Sequence, residues 1–234
     1  MPPGTLYVVA TPIGNLEDLT LRALRTLKEV ALVACEDTRR TRVLLSHYGI
    51  SVPVTSYFEH NKRVKGETIL RALRDGRSVA LVTDAGTPGI SDPGFRLVKD
   101  ARAEGIPVTP IPGPSAVVTA LSAAGVPADR FVFEGFLPVK PGRRLNRLRA
   151  LRALETTIVC YESPHRIAAS LAAIAEVFGA TPMVAARELT KHFEEIVEGT
   201  PGALAERFAG PAARGEFTLV IPYAKLAPDE ADGP

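Results

Sequence analysis

Short apolar, β-branched runs alternate with helix-period segments along almost the whole chain, and this alternation restricts the fold more than any other feature. It is the pattern that yields parallel strands covered by helices. The runs predict strands near Leu6–Ala10, Val30–Ala34, Val79–Thr83, Val108–Ile111, Thr157–Tyr161, Met183–Ala186 and Phe217–Ile221. Helices are expected near Leu16–Lys28, Arg39–His47, Glu67–Asp75, Phe95–Glu104, Ser115–Ala124, Arg143–Leu154, Arg166–Phe178 and Ala203–Phe208. The fold class is therefore α/β. With 234 residues, 46% of them hydrophobic, the chain can bury one large core or two compact ones. The stretch Phe131–Arg144 interrupts the alternation with Pro138, Pro141 and a basic turn. It predicts a boundary near Gly135–Gly142, with domains of 1–135 and 136–234.

Composition excludes several classes. No run of about 18 apolar residues occurs, and the segment MPPGTLYVVATPIG lacks the basic stretch, apolar stretch and cleavage site of a secretory leader. A soluble, cytoplasmic protein is expected. Cys35 and Cys160 each lie inside an apolar run, as small core residues do, and His47, His60, His165 and His192 are scattered. No metal site is expected. Net charge is only +2, yet Lys140 to Arg152 holds six basic residues and no acidic one. Such a run is an electrostatic footprint for phosphate or polycarboxylate ligands, or else a solvated helix face.

Five segments carry candidate chemistry. ATPIGNLEDLT follows the first strand and combines Gly14 with the capping residues Asn15, Asp18 and Thr20. It lacks the glycines of a dinucleotide fingerprint and the Gly-Lys pair of a P-loop. CEDTRRTRVLL ends the second strand. Its arginines Arg39, Arg40 and Arg42 stand near a helix N-terminus, where the helix field does not favour them, which points to an external anion such as RNA phosphate. VALVTDAGTPGISDPG delivers Asp84 into a loop with Gly86, Gly89 and Gly94, stiffened by Pro88 and Pro93. Such a loop exposes backbone groups to a small polar ligand. In IPGPSAVVTAL, Pro114 leads Ser115 and Ala116 into a helix whose first N–H groups are free. The fifth, VCYESPHRI with ARELTK, places Tyr161, Glu162, His165, Arg166 and Glu188 at strand ends, as a pocket wall or as a buried ion-pair network.

Taken together and in order, LYVVATPIGNLEDLT, EDTRRTR, YFEHN, DAGTPGISDPG, PGPSA, YESPHR, RELTK and GEFTLVI resemble the tetrapyrrole-methylase superfamily, over roughly Leu6 to Ile221. The resemblance is to its ribosomal branch, which methylates a cytidine 2′-hydroxyl in 16S ribosomal RNA of the small subunit. It implies two α/β domains with a ligand cleft between them, a homodimer, and S-adenosylmethionine as donor. It implies donor contacts from Ile13, from Asp84, Ala85, Gly86, Thr87 and Gly89, from Ser115 and Ala116, and from Tyr161 and Glu162. RNA contacts are expected from Arg39, Arg40, Arg42, Arg143, Arg144 and Arg147. A ribose hydroxyl is a poor nucleophile at neutral pH, so a proton acceptor should assist. The candidates are Asp37, His60, Asp84, Glu162 and Glu188. Two alternatives stay open: carbon methylation of a tetrapyrrole, which would also welcome arginines, and an inert RNA-binding module on the same fold.

Overall fold

The computed structural model describes residues 2–58, 62–91, 94–210 and 213–223, without the side chains of Lys62 and Arg63. The candidate base His60 lies outside the described residues. The chain forms two compact units, Met1–Ser115 and Ala116–Pro234.

In the first unit, β1 (Leu6–Val9), β2 (Leu32–Cys35), β3 (Val54–Ser56), β4 (Val79–Leu81) and β5 (Val108–Ile111) make one sheet. Its order is β3-β2-β4-β1-β5, and every neighbouring pair is parallel. The crossovers run through α1 (Leu21–Glu29), α2 (Thr38–His47), α3 (Lys62–Arg74) and α4 (Phe95–Ala103). Alternate residues of one strand feed opposite cores: Ala80 joins Leu27, Val33 and Ile111, whereas Val79 and Leu81 join Ile69, Leu73 and Leu97. Burial on both faces explains why these strands read as unbroken apolar runs.

The second unit contains α5 (Ala116–Ala123), β6 (Phe131–Phe136), α6 (Pro141–Arg152), β7 (Thr157–Glu162), α7 (Ile167–Phe178), β8 (Met183–Arg187), β9 (Glu195–Gly199), α8 (Pro201–Arg207) and β10 (Phe217–Ile221). Its sheet has the order β6-β7-β10-β8-β9 and is mixed: β6 lies parallel to β7, and the remaining pairs are antiparallel. Leu148, Leu151, Ile158, Leu171, Ile174, Phe208 and Leu219 centre its core. Among the described residues no helix is long and apolar enough to cross a membrane.

The division after Ser115 corrects the boundary expected near Gly135–Gly142. The segment that reads as a linker is β6, paired with β7 from Phe131↔Thr157 to Phe136↔Tyr161, and α5 packs on β10 and β7. Both elements therefore belong to the second core.

Arg144 is a second correction. Expected to face RNA, it is only 5% exposed and donates to the carbonyls of Pro138 (3.1 Å) and Val139 (2.8 Å) and to Ser170 Oγ (3.5 Å). It shares the inward stripe of α6 with Leu148 and Leu151, at the spacing of one helix face. Truncation to Ala would leave two part-buried carbonyls without this donor, so Arg144→Ala is expected to destabilise the protein by about 2 kcal/mol. Thermal unfolding checks this, and an unchanged midpoint would refute it.

Candidate functional site

Because the first sheet is parallel, the carboxyl ends of all its strands share one edge, where open α/β sheets hold ligands. β4, β1 and β5 are consecutive neighbours there, so the loops after them emerge side by side although about seventy residues separate the first from the second. They are clasped together. Thr11 and Gly86 exchange backbone bonds, with N–H donated in each direction at 2.9 and 3.0 Å. The buried Thr11 hydroxyl donates to the Thr83 carbonyl at 3.0 Å, and the Thr87 hydroxyl donates to the Pro114 carbonyl at 3.3 Å.

Two glycines make this closeness possible. Gly86 has φ +83, and a Cβ there would stand 3.4 Å from Ile13 Cγ2 and 3.7 Å from the Pro114 carbonyl oxygen. At Gly113 a Cβ would meet Ala10 Cβ at 3.0 Å. Gly89 also has positive φ, +86. The structure thus brings Ile13, Asp84, Ala85, Gly86, Thr87, Gly89 and Ser115 to neighbouring loops of one edge, and Ala116 begins α5 directly after them.

The first loop is not the start of a long helix. Asn15 caps a single 3₁₀ turn, Leu16–Asp18, by accepting from Glu17 N–H at 3.1 Å. The chain then restarts with Thr20 as the cap of α1, accepting from Ala23 N–H at 3.1 Å. The capping residues read from the sequence therefore divide the segment, which keeps Ile13 and Gly14 in a loop.

The loop after β2 joins the same edge through Asp84. Its Oδ1 accepts from Asp37 N–H at 3.0 Å, and Oδ2 lies 3.5 Å from exposed Arg40. Asp37 caps α2 by accepting from Arg39 N–H at 2.8 Å and pairs with the Arg39 side chain at 2.7 Å. Those bonds, the Arg39 side chain foremost, hold its carboxyl well below the usual carboxylate range. A carboxylate held so firmly ionised is a weak proton acceptor. Arg39 and Arg40 are 87% and 67% exposed, and Arg42 is exposed as well.

In the second unit most of the remaining candidates have structural partners. The Glu162 side chain is fully buried, accepting from Ser163 N–H at 2.8 Å and from Ser170 Oγ, with Arg166 Nε at 3.2 Å. Tyr161 beside it is half-buried. Glu188 accepts from Glu216 N–H at 2.9 Å and from Lys191 Nζ at 2.8 Å. Burial pushes its carboxyl up, but Lys191 and the Glu216 N–H outweigh burial and leave it lowered. On α6, Arg147 is bound by Glu134 at 2.6 Å, while Arg143 is exposed and pairs with no carboxylate among the described residues. Burial raises both the Cys35 and Cys160 thiols, which removes them as nucleophiles at neutral pH. Sequence reasoning missed Thr11 and Gly113 as the groups that hold the loops together. Their only signal is position, a Thr directly after a strand and a Gly between prolines.

A parallel sheet with glycine- and proline-rich loops gathered at its carboxyl edge defines a class of proteins that hold a small polar ligand in backbone cradles. The chain belongs to the tetrapyrrole (corrin/porphyrin) methylase family, whose model matches residues 5–205. A Mesorhizobium japonicum protein named ribosomal RNA small subunit methyltransferase I is 53% identical over 227 residues, covering 96% of this chain and 77% of that one. A protein of the same name from Escherichia coli O157:H7 is 52% identical over 221 residues, 93% of this chain and 77% of that one. Among solved structures, a cobalt precorrin-4 methyltransferase superposes with TM-score 0.72 at 19% identity, covering 94% of this chain and 95% of that one. Uroporphyrin-III C-methyltransferase from Thermus thermophilus, complexed with S-adenosylhomocysteine, gives 0.65 at 20% identity, over 93% and 97%. These likenesses carry the fold expected from the sequence.

Proposed function

We propose that this chain transfers a methyl group from S-adenosylmethionine to the 2′-hydroxyl of a cytidine in 16S ribosomal RNA of the small subunit, as a cytoplasmic homodimer. The observation that carries the reading is identity above 50%, over nearly the whole chain, to relatives named as small-subunit ribosomal RNA methyltransferases. The tetrapyrrole alternative rests on structures about 20% identical, which speak for the fold alone. The dimer rests on the family resemblance.

The residues present fit the donor. Gly86 and Gly113 keep space open where a Cβ would crowd Ile13 or Ala10, and the clasped loops fix their backbone groups before any ligand arrives, which reduces the ordering cost of binding. S-adenosylmethionine supplies a methyl group on a sulfonium whose positive charge is quenched as the new bond forms. Orientation of the two reactants therefore contributes most. In the transfer the carbon–sulfur bond breaks, a carbon–oxygen bond forms, and the hydroxyl proton passes to a base. Of the four candidates within the described residues, Asp84 best fits the role: it lies in the donor loop, one oxygen is held by Asp37 N–H, and the other has, among the described residues, exposed Arg40 at 3.5 Å. Asp37 and Glu188 are committed to their cations, and Glu162 is enclosed.

Tritiated methyl transfer to 30S subunits and to naked 16S RNA, followed by mapping of the labelled nucleotide, tests the function. Label on a cytidine ribose supports it; no label on either RNA substrate overturns it. The exposure of Arg42, and of Arg39 although it is paired with Asp37, supports an RNA surface on α2, where each phosphate contact neutralised releases counterions. Replacing both with Gln is expected to flatten the salt dependence of subunit binding by about 0.7 to 0.9 per lost contact. An unchanged slope would move the RNA surface off α2.

A further inference from the structure

We propose that Phe136, set against Tyr161 on the edge of the second sheet, is a stacking platform for a base of the RNA substrate, a proposal that rests on the RNA-methylating reading above. β6 is an edge strand with an extra residue between Phe133 and Gly135. Phe133 lies opposite Val159 and Phe136 opposite Tyr161, so the bulge turns Phe136 onto the face it would otherwise point away from. Gly135, at φ +74, supplies the backbone conformation this requires.

The outcome is a contiguous aromatic surface. Phe133 and Phe136 both meet Tyr161 edge-to-face, with ring centroids 4.9 and 5.8 Å apart. Phe136 nevertheless remains 52% exposed. A bulge that brings a large apolar ring to a face and leaves it half in water contributes little to the core. The surrounding charge favours a nucleic acid as occupant. Exposed Lys140 follows the strand, and Arg143 lies one helical turn before Arg147 on the α6 face that reaches β6. The carboxylates of β6 and β7 are already satisfied: Glu134 by Arg147 at 2.6 Å and Glu162 by Arg166 and Ser170. Aromatic rings beside unneutralised cations are how proteins hold unpaired bases and the phosphates that flank them.

Phe136→Ala and Phe136→Leu are each expected to raise the KM for 30S subunits roughly 5- to 150-fold, the range that lost base stacking spans, with donor affinity and solution mass unchanged. Phe136→Tyr keeps the ring and should retain wild-type KM. The chain has no tryptophan, so Phe136→Trp carries a single reporter, and a cytidine-containing single-stranded RNA oligonucleotide should quench its fluorescence. Wild-type KM in the Leu variant, absence of quenching, or a lower solution mass in the Ala variant would overturn the platform, the last by making the patch a contact between copies. If the wild type transfers no methyl to subunits, the functional reading falls, and quenching in the Trp variant still decides the platform.

Discussion

Gly86→Leu is expected to raise the dissociation constant for S-adenosylmethionine at least about 100-fold, equivalent to roughly 2.7 kcal/mol, while the protein keeps its folded circular dichroism. Gly86 stands where three loops converge, and both its N–H and its carbonyl are engaged by Thr11. Its φ of +83 disfavours any side chain, and a Cβ would already touch Ile13. A leucine must displace Ile13, part the Gly86–Thr11 pair, or enter the space left for the donor. The substitution leaves the cores around Leu27 and Leu73 untouched. Calorimetry measures the effect, and undiminished affinity would remove this loop from the donor site. If the Leu variant does not fold, Gly89→Ala keeps the test alive: φ there is +86, yet its nearest neighbour to a new Cβ is Phe95 N at 3.9 Å.

Asp84→Asn is expected to lower kcat by about 100-fold or more, the usual contribution of a positioned proton acceptor. An asparagine oxygen still accepts from Asp37 N–H, so the link between the β4 and β2 loops survives and the loss falls on proton transfer. Donor affinity, measured by calorimetry on the same variant, should stay within a few-fold of wild type. A loss confined to donor affinity would make Asp84 a donor-holding group, and wild-type turnover would leave the base to be sought elsewhere, with His60 next to be replaced.

What was legible in the sequence follows from burial. Strands covered on both faces, such as Leu6–Val9 and Val79–Leu81, leave continuous apolar runs, and they fall where the pattern predicts. The strands that escaped prediction, Val54–Ser56, Phe131–Phe136 and Glu195–Gly199, are all edge strands. With a neighbour on one side only, and a bulge in Phe131–Phe136, they keep polar residues and glycine, the same composition that marks a loop. That is why β6 reads as a linker and the boundary falls too late.

By itself the sequence determined the α/β class, the family, and the loops that carry glycine and proline after strand ends, because these depend on local pattern and chain order. Only the tertiary structure decided which charges are available to a partner. KPGRRLNRLRALR reads as one basic surface, yet Arg144 is buried against carbonyls, Arg147 is held by Glu134, and of these three only Arg143 is exposed with no carboxylate partner among the described residues. The same holds for the carboxylates: Glu162 and Asp84 look alike in sequence, and folding encloses one while leaving the other at the loop edge. A side chain's charge is written in the sequence. Whether that charge is satisfied depends on partners as near as four residues along the chain, as for Glu162 and Arg166, and as far as 47, as for Asp84 and Asp37, which folding brings within hydrogen-bond distance.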